Sequence, residues 1–218
     1  MPPTSVTQLA SRRTPGQARS VVTVASIFEA TVQVLLKEGM HRLTTTRVAE
    51  RAGVSVGTLY QYYPNKQALL LAVLGRHLDG VAGAVEAAAR QAQQQPLARM
   101  VEAVVEAFVG AKVQHIDEAR ALYAVAEEPA GAELVRRASA RASAAIQTML
   151  ACAPDAAFED LGVTSYIFAS AMIGPTRGVV ERQAPPKLVR ALQRHLVSLC
   201  LGYLDREKLP GWRAKTPS

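Results

Sequence analysis

An all-α protein is what the sequence predicts, on three grounds. Hydrophobic residues make up 49% of the chain but aromatics only 5%, so the interior has to be built from Ala, Val and Leu, the residues of packed helices. Apolar positions recur at the i, i+3, i+4 spacing of a helix along most of the length. The breaks between these runs hold Gly, Pro, Ser, Thr and Asn, the residues that start and stop helices. At 218 residues, a small helical domain followed by a larger one is expected, with about nine helices in all.

Residues 1–17 carry Pro2, Pro3, Pro15, Gly16 and the Arg12–Arg13 pair without sustained apolar periodicity, and read as a flexible arm. The first helix is expected over 18–38, with Val24, Ile27, Phe28, Thr31, Val34 and Leu35 on one face and Gly39 as its stop. Thr44, Thr45 and Thr46 offer N-caps for a short second helix with Val48, Ala49 and Ala52 inward, closed by Gly53. Ser55 can cap a third helix from Val56 to Tyr63, which Pro64 ends. Asn65 can cap a long fourth helix from Lys66 to about Gln95, carrying Leu69, Leu70, Val73, Leu74 and Leu78. Further helices are expected near 96–115, 117–127, 130–152, 155–182 and 187–207. The expected organisation is thus arm 1–17, first domain 18–81, second domain 82–209 and frayed tail 210–218.

The net charge is +7, and it is uneven: Met1 to Gly80 holds nine Lys/Arg against four Asp/Glu, the rest sixteen against fourteen. On charge alone, a polyanion partner and a solvated basic surface are equally open. Cys152 and Cys200 lie in apolar helical runs without paired spacing, which argues for free buried thiols. His77, His115 and His195 lack metal-ligand spacing, so no metal and no cofactor is expected. No nucleophile elbow, phosphate loop or CxxC is present, and Glu127–Glu128 read as a solvated helix end, which speaks against an enzyme. With no leader pattern and no uncharged apolar stretch of about 18 residues, a cytoplasmic protein without a membrane partner is expected.

Two short helices around a Gly-containing turn, within a basic segment, match a helix-turn-helix. The second of them has one inward anchor, Leu59, with Tyr63 on the same face. A helix entering the major groove needs small residues for close approach and hydrogen-bonding groups for base edges and phosphates, which Val56, Gly57, Thr58 and Gln61 supply. Phosphate is favoured beside Thr45, Thr46 and Ser55 at helix N-termini, although capping alone accounts for Thr44 to Thr46 equally well. Tyr60 and Tyr62 add phenolic donors, and Lys66 adds a charge at the next helix start.

The contiguous run from Leu43 to Leu70, which includes TTTRVAERAGVSVGTLYQYYPNKQALL, resembles the signature of the tetracycline-repressor (TetR) family, and the similarity extends over about 18–81. The resemblance implies a homodimer that reads palindromic double-stranded operator DNA and whose larger domain dimerises and binds a releasing small molecule. It implies DNA contacts from Thr45, Thr46, Ser55, Val56, Gly57, Thr58, Tyr60, Gln61, Tyr62 and Lys66. Val56 departs from the Lys or other polar residue common there, which leaves it a thymine methyl or no base contact. Repression is the implied mode. Activation, and a helical adaptor that binds protein partners, are the alternatives.

In the second domain the last two helices are implied to form the dimer interface, with Leu161, Tyr166, Ile167, Met172 and Ile173 on one and Leu188, Leu192, Leu196, Leu199 and Leu204 on the other. An apolar stripe fits interface and core alike. Candidates to line a cavity for an apolar or aromatic effector are Met100, Phe108, Tyr123, Met149, Phe158, Tyr166, Phe168 and Met172, and core packing competes with that role for each.

Overall fold

The computed structural model describes residues 15–210 apart from Gln183. Among them run nine helices: α1 (Pro15–Glu38), α2 (Thr45–Ala52), α3 (Val56–Tyr62), α4 (Lys66–Gln91), α5 (Leu97–Gln114), α6 (Ile116–Ala126), α7 (Pro129–Leu150), α8 (Leu161–Glu181) and α9 (Pro186–Glu207). The expected arm and tail fall largely on 1–14 and 211–218, outside the described residues. Residues 15–17, expected in the arm, are instead the start of α1. A proline fits a first helical turn, where its missing N–H has no intrahelical partner to lose.

The chain divides into two compact units between Leu69 and Leu70, inside α4, rather than at 81. The reason lies in α4 itself: Leu74, Leu78, Val81 and Val85 line a cavity of the second unit, so the helix joins that unit well before residue 81.

In the first unit, α1 buries Ile27, Ala30, Thr31, Val34 and Leu35, joined in the interior by Leu43, Val48, Ala49, Leu59 and Leu69. The buried Thr31 hydroxyl donates to the Ile27 carbonyl at 2.7 Å and so costs the core no unpaired donor. Each junction is closed by a local device. Gly39, at φ 78°, donates to Leu35 O at 3.0 Å and ends α1. The Thr44 hydroxyl accepts from Arg47 N–H and starts α2. Gly53, at φ 68°, donates to Glu50 O at 3.2 Å while Val54 donates to Ala49 O at 3.0 Å, a Schellman turn that any residue with a Cβ adopts at a cost. Ser55 Oγ accepts from Thr58 N–H at 3.0 Å and Asn65 Oδ1 from Ala68 N–H at 2.8 Å, starting α3 and α4.

The second unit is built round α5, whose Leu97, Met100, Val101, Val104, Val105 and Phe108 recur at helical spacing and are all buried. Ile146, Met149 and Leu150 of α7, Phe168 and Met172 of α8, and Leu192, Leu196, Cys200 and Leu204 of α9 complete the core. The expected helix over 155–182 begins six residues later, at Leu161. Residues 155–160 are committed elsewhere: Asp155 Oδ1 accepts from Leu97 N–H at 2.8 Å at the head of α5, Ala157 O accepts from Leu209 N–H at 2.8 Å, and Asp160 caps α8 through Val163 N–H at 2.9 Å. Between α6 and α7 the backbones nearly touch: a Cβ at Gly131 would lie 1.9 Å from Val125 O.

By length and composition alone, Ser20–Glu38 and Lys66–Gln91 are long and apolar enough to cross a membrane, contrary to the expectation that no stretch comes near it. Both nevertheless supply core residues here, Ile27 and Leu35 from one and Val81 and Val85 from the other.

Candidate functional site

The α2–turn–α3 segment presents its polar residues outward. Thr46, Ser55, Gly57, Tyr60 and Gln61 are exposed, and Thr45, Val56 and Thr58 half-buried, while Leu59 alone in α3 is buried. The tyrosines separate as their spacing suggests. Tyr63 packs edge-on against Phe28 with ring centroids 6.0 Å apart. Tyr60 is 48% exposed, with its hydroxyl 3.0 Å from Thr45 Oγ1, so one polar cluster spans the start of α2 and the outer face of α3. Tyr62 is half-buried, and its hydroxyl donates to Ser20 Oγ at 3.3 Å on α1. Lys66 also has an internal role, since its ammonium donates to Met40 O at 2.8 Å beyond the end of α1.

Gly57 carries the most information. Its φ is not in the left-handed range, and a Cβ added there would meet nothing nearer than Ser55 Oγ at 3.8 Å. Neither backbone conformation nor packing within the chain asks for glycine, although glycine costs a helix about 0.5–1 kcal/mol relative to alanine. A smooth exposed spot on a helix flanked by hydroxyls and an amide is what close approach of another backbone requires. Around it, Arg47 bonds Glu38 and donates to Arg42 O at 3.0 Å, and Arg51 Nε donates to Gln33 Oε1 at 2.6 Å, so these arginines tie α2 to the α1 side.

The second unit holds a cavity of about 200 Å³ lined from α4, α5, α6, α7 and α8. Of the residues expected to line it, Phe108, Tyr123 and Met172 do. Met100, Met149 and Phe168 are fully buried within the solid core instead, Phe158 precedes α8 and packs on the edge of that core, and Tyr166 is 63% exposed on the outer face of α8. The expectation followed side-chain bulk. Space inside a helical bundle comes instead from small residues, and Ala82, Ala119, Ala126, Ala138, Ala142 and Ala169 form much of the wall. Sequence reasoning missed α4 altogether, although Leu74, His77, Leu78, Val81 and Val85 share one helical stripe.

The wall also carries polar groups. His77 Nδ1 lies 3.4 Å from Glu118 Oε1, and hydrogen bonding to His77 holds the Glu118 carboxyl below its ordinary value. Arg177 pairs with Glu127 and Glu181, both at 2.6 Å, and its guanidinium lies 5.0 Å from the Tyr123 ring centroid. The Lys112 ammonium is 5.8 Å from the same ring, and burial lowers its pKa.

On the outside of the unit, Val163, Tyr166, Ile167 and Ile173 of α8 form an exposed apolar stripe, with Leu188 and Leu199 exposed on the adjacent α9. Of the residues expected at an interface, Met172, Leu192, Leu196 and Leu204 are buried in the core, one helical face away from this stripe.

A capped helix-turn-helix in a small helical unit, followed by a larger helical unit with an internal cavity, is the build of a helix-turn-helix regulatory protein. Two family descriptions match the sequence: bacterial regulatory proteins of the tetR family over residues 27–73, and the tetracyclin repressor-like C-terminal domain over 96–204. The chain belongs to the TetR family. It is 35% identical to the HTH-type transcriptional repressor KstR of Mycolicibacterium smegmatis over 38% of this chain and 48% of that protein. It is 38% identical to the HTH-type transcriptional activator FasR of the same organism, over 36% of this chain and 35% of that one. The chain therefore spans about half the length, or less, of these curated relatives. Among solved structures, a TetR-family regulator from Mesorhizobium loti matches with TM-score 0.70 at 15% identity, over 88% of this chain and 99% of that one. The regulator FadR from Bacillus subtilis, solved in complex with stearoyl-CoA, matches with TM-score 0.66 at 15% identity, over 82% and 98%.

Proposed function

We propose that this protein is a cytoplasmic, homodimeric transcriptional repressor that reads a palindromic operator and is released from it by a small molecule held in the second unit. The observation that carries the DNA-reading part is Gly57, an unforced glycine in the middle of an outward polar face. Ser55, Thr58, Tyr60 and Gln61 around it supply contacts to bases and phosphates, with Val56 set for a thymine methyl and Thr45 and Thr46 for phosphate. Tyr62 and Lys66 act chiefly by fixing α3 and α4 against α1, and reach DNA from those positions.

The exposed stripe on α8 and α9 supports dimerisation, because an apolar surface of that kind on a helix pair calls for a partner, and a two-fold dimer matches a two-fold operator. The cavity supports the effector. The likeness to KstR favours repression, while that to FasR keeps activation as the second reading.

The test is a selection of genomic fragments by the purified protein at near-physiological salt, with the stoichiometry of the bound complex. A palindrome occupied by one dimer, or by two, supports the reading. Salt-labile binding indifferent to sequence overturns it and brings the adaptor reading forward. On the selected operator, Tyr60→Ala is expected to lose about 1–3 kcal/mol of binding in a titration.

A further inference from the structure

The ionic side chains of the cavity wall are unequally matched. Glu127 is occupied by Arg177 at 2.6 Å, and Arg177 is shared further with Glu181 at 2.6 Å. Lys112 lines the same cavity and stands over the same Tyr123 ring, yet among the described residues no carboxylate pairs with it. A methionine would fill that space without setting an ammonium where burial disfavours its charge. Two other lining residues repeat the pattern. His77, 9% exposed, and Thr176, 1% exposed, each bury a polar atom, Nε2 and Oγ1, that has no hydrogen-bond partner among the described residues. The rest of the wall is apolar, Phe108 included, but for Ser139. The cavity's volume is about 200 Å³.

We infer that the cavity takes a compact amphipathic carboxylate, an apolar body whose anionic head sits on Lys112 beside Tyr123. The inference rests on the effector reading and gives it a chemical class. An ammonium and a carboxylate brought together in an apolar chamber form a charge-assisted hydrogen bond, stronger than a neutral one. The same pairing restores to Lys112 the stabilisation of its charge that burial removes. A neutral ligand of the same shape gains neither effect, and a cationic one meets repulsion from Lys112 as well.

The experiment uses the full chain and three probes with one tail: octanoate, 1-octanol and octylammonium, with binding read by calorimetry. Octanoate is expected to bind the unaltered protein more tightly than octylammonium and to lose about tenfold on Lys112→Met. Lys112→Arg should keep most of the affinity, and 1-octanol should bind Lys112→Met at least as well as the parent, which reports an intact chamber. Octanoate affinity that ignores Lys112→Met, tighter binding of octylammonium, or no binding by any probe overturns the inference. Operator binding measured without probe speaks to the regulatory reading alone. A chain that holds its operator but fails these tests leaves that reading standing.

Discussion

Gly57 and Gly131 are both helical glycines, and the space about each separates their roles. At Gly57 the Cβ position is open but for Ser55 Oγ at 3.8 Å. Gly57→Ala should therefore raise stability by about 0.5–1 kcal/mol in a denaturant melt while weakening operator binding in the same preparation. A variant that is more stable and binds equally well would remove close approach as the reason for this glycine. The two thiols form a second contrast. Burial pushes the Cys200 thiol up to about 11, whereas Cys152 lies at the end of α7, half-buried. Iodoacetamide at about pH 8 should label Cys152 in the native protein and Cys200 only after unfolding, as read by mass spectrometry. The unfolded thiol ionises first, so this group's contribution to stability is complete below about pH 9 and is lost as pH rises towards 11.

At the scale of elements, the elbow between α6 and α7 is the tightest approach. With Val125 O only 1.9 Å from the Cβ position of Gly131, Gly131→Ala should cost about 1–3 kcal/mol, against the usual benefit of that exchange in a helix. A thermal melt with no loss would show that the two helices separate freely. Helix ends in the first unit were legible in the sequence because each is marked by a residue whose own chemistry closes it: Gly39 and Gly53 by φ, Thr44, Ser55 and Asn65 by a side-chain oxygen. The start of α8 was not legible. Asp155 looks like a helix-starting residue, but it is claimed by the Leu97 amide 58 positions away, a long-range bond that no local pattern announces.

For the whole molecule, the outward face of α3 was readable because exposure there follows from a single inward anchor, Leu59. The cavity was not, since a cavity is defined by what its wall lacks, and a search for large side chains passes over Ala119, Ala138 and Ala142. The surface stripe leads to a prediction on assembly. Ile167 is exposed on α8, so Ile167→Arg should leave the fold intact but convert the proposed dimer to monomer in light scattering. Operator affinity should fall about a hundredfold or more as the two half-sites lose their linkage. A dimer that survives this change would place the interface on another face.

α8 has few positions to spare. Met172, Ile173, Thr176 and Arg177 border the cavity, Phe168 and Val179 fill the core, and Val163, Tyr166 and Ile167 lie on the outer surface. Drift in this helix is consequently hard to hide, because most codons along it answer to a chamber, a core or an exposed apolar surface. Under random mutagenesis with selection for regulation, α8 should accept the fewest replacements of any segment in its unit. Those that survive should sort by position into altered inducer preference and altered assembly, so one short stretch of gene would tune both properties separately.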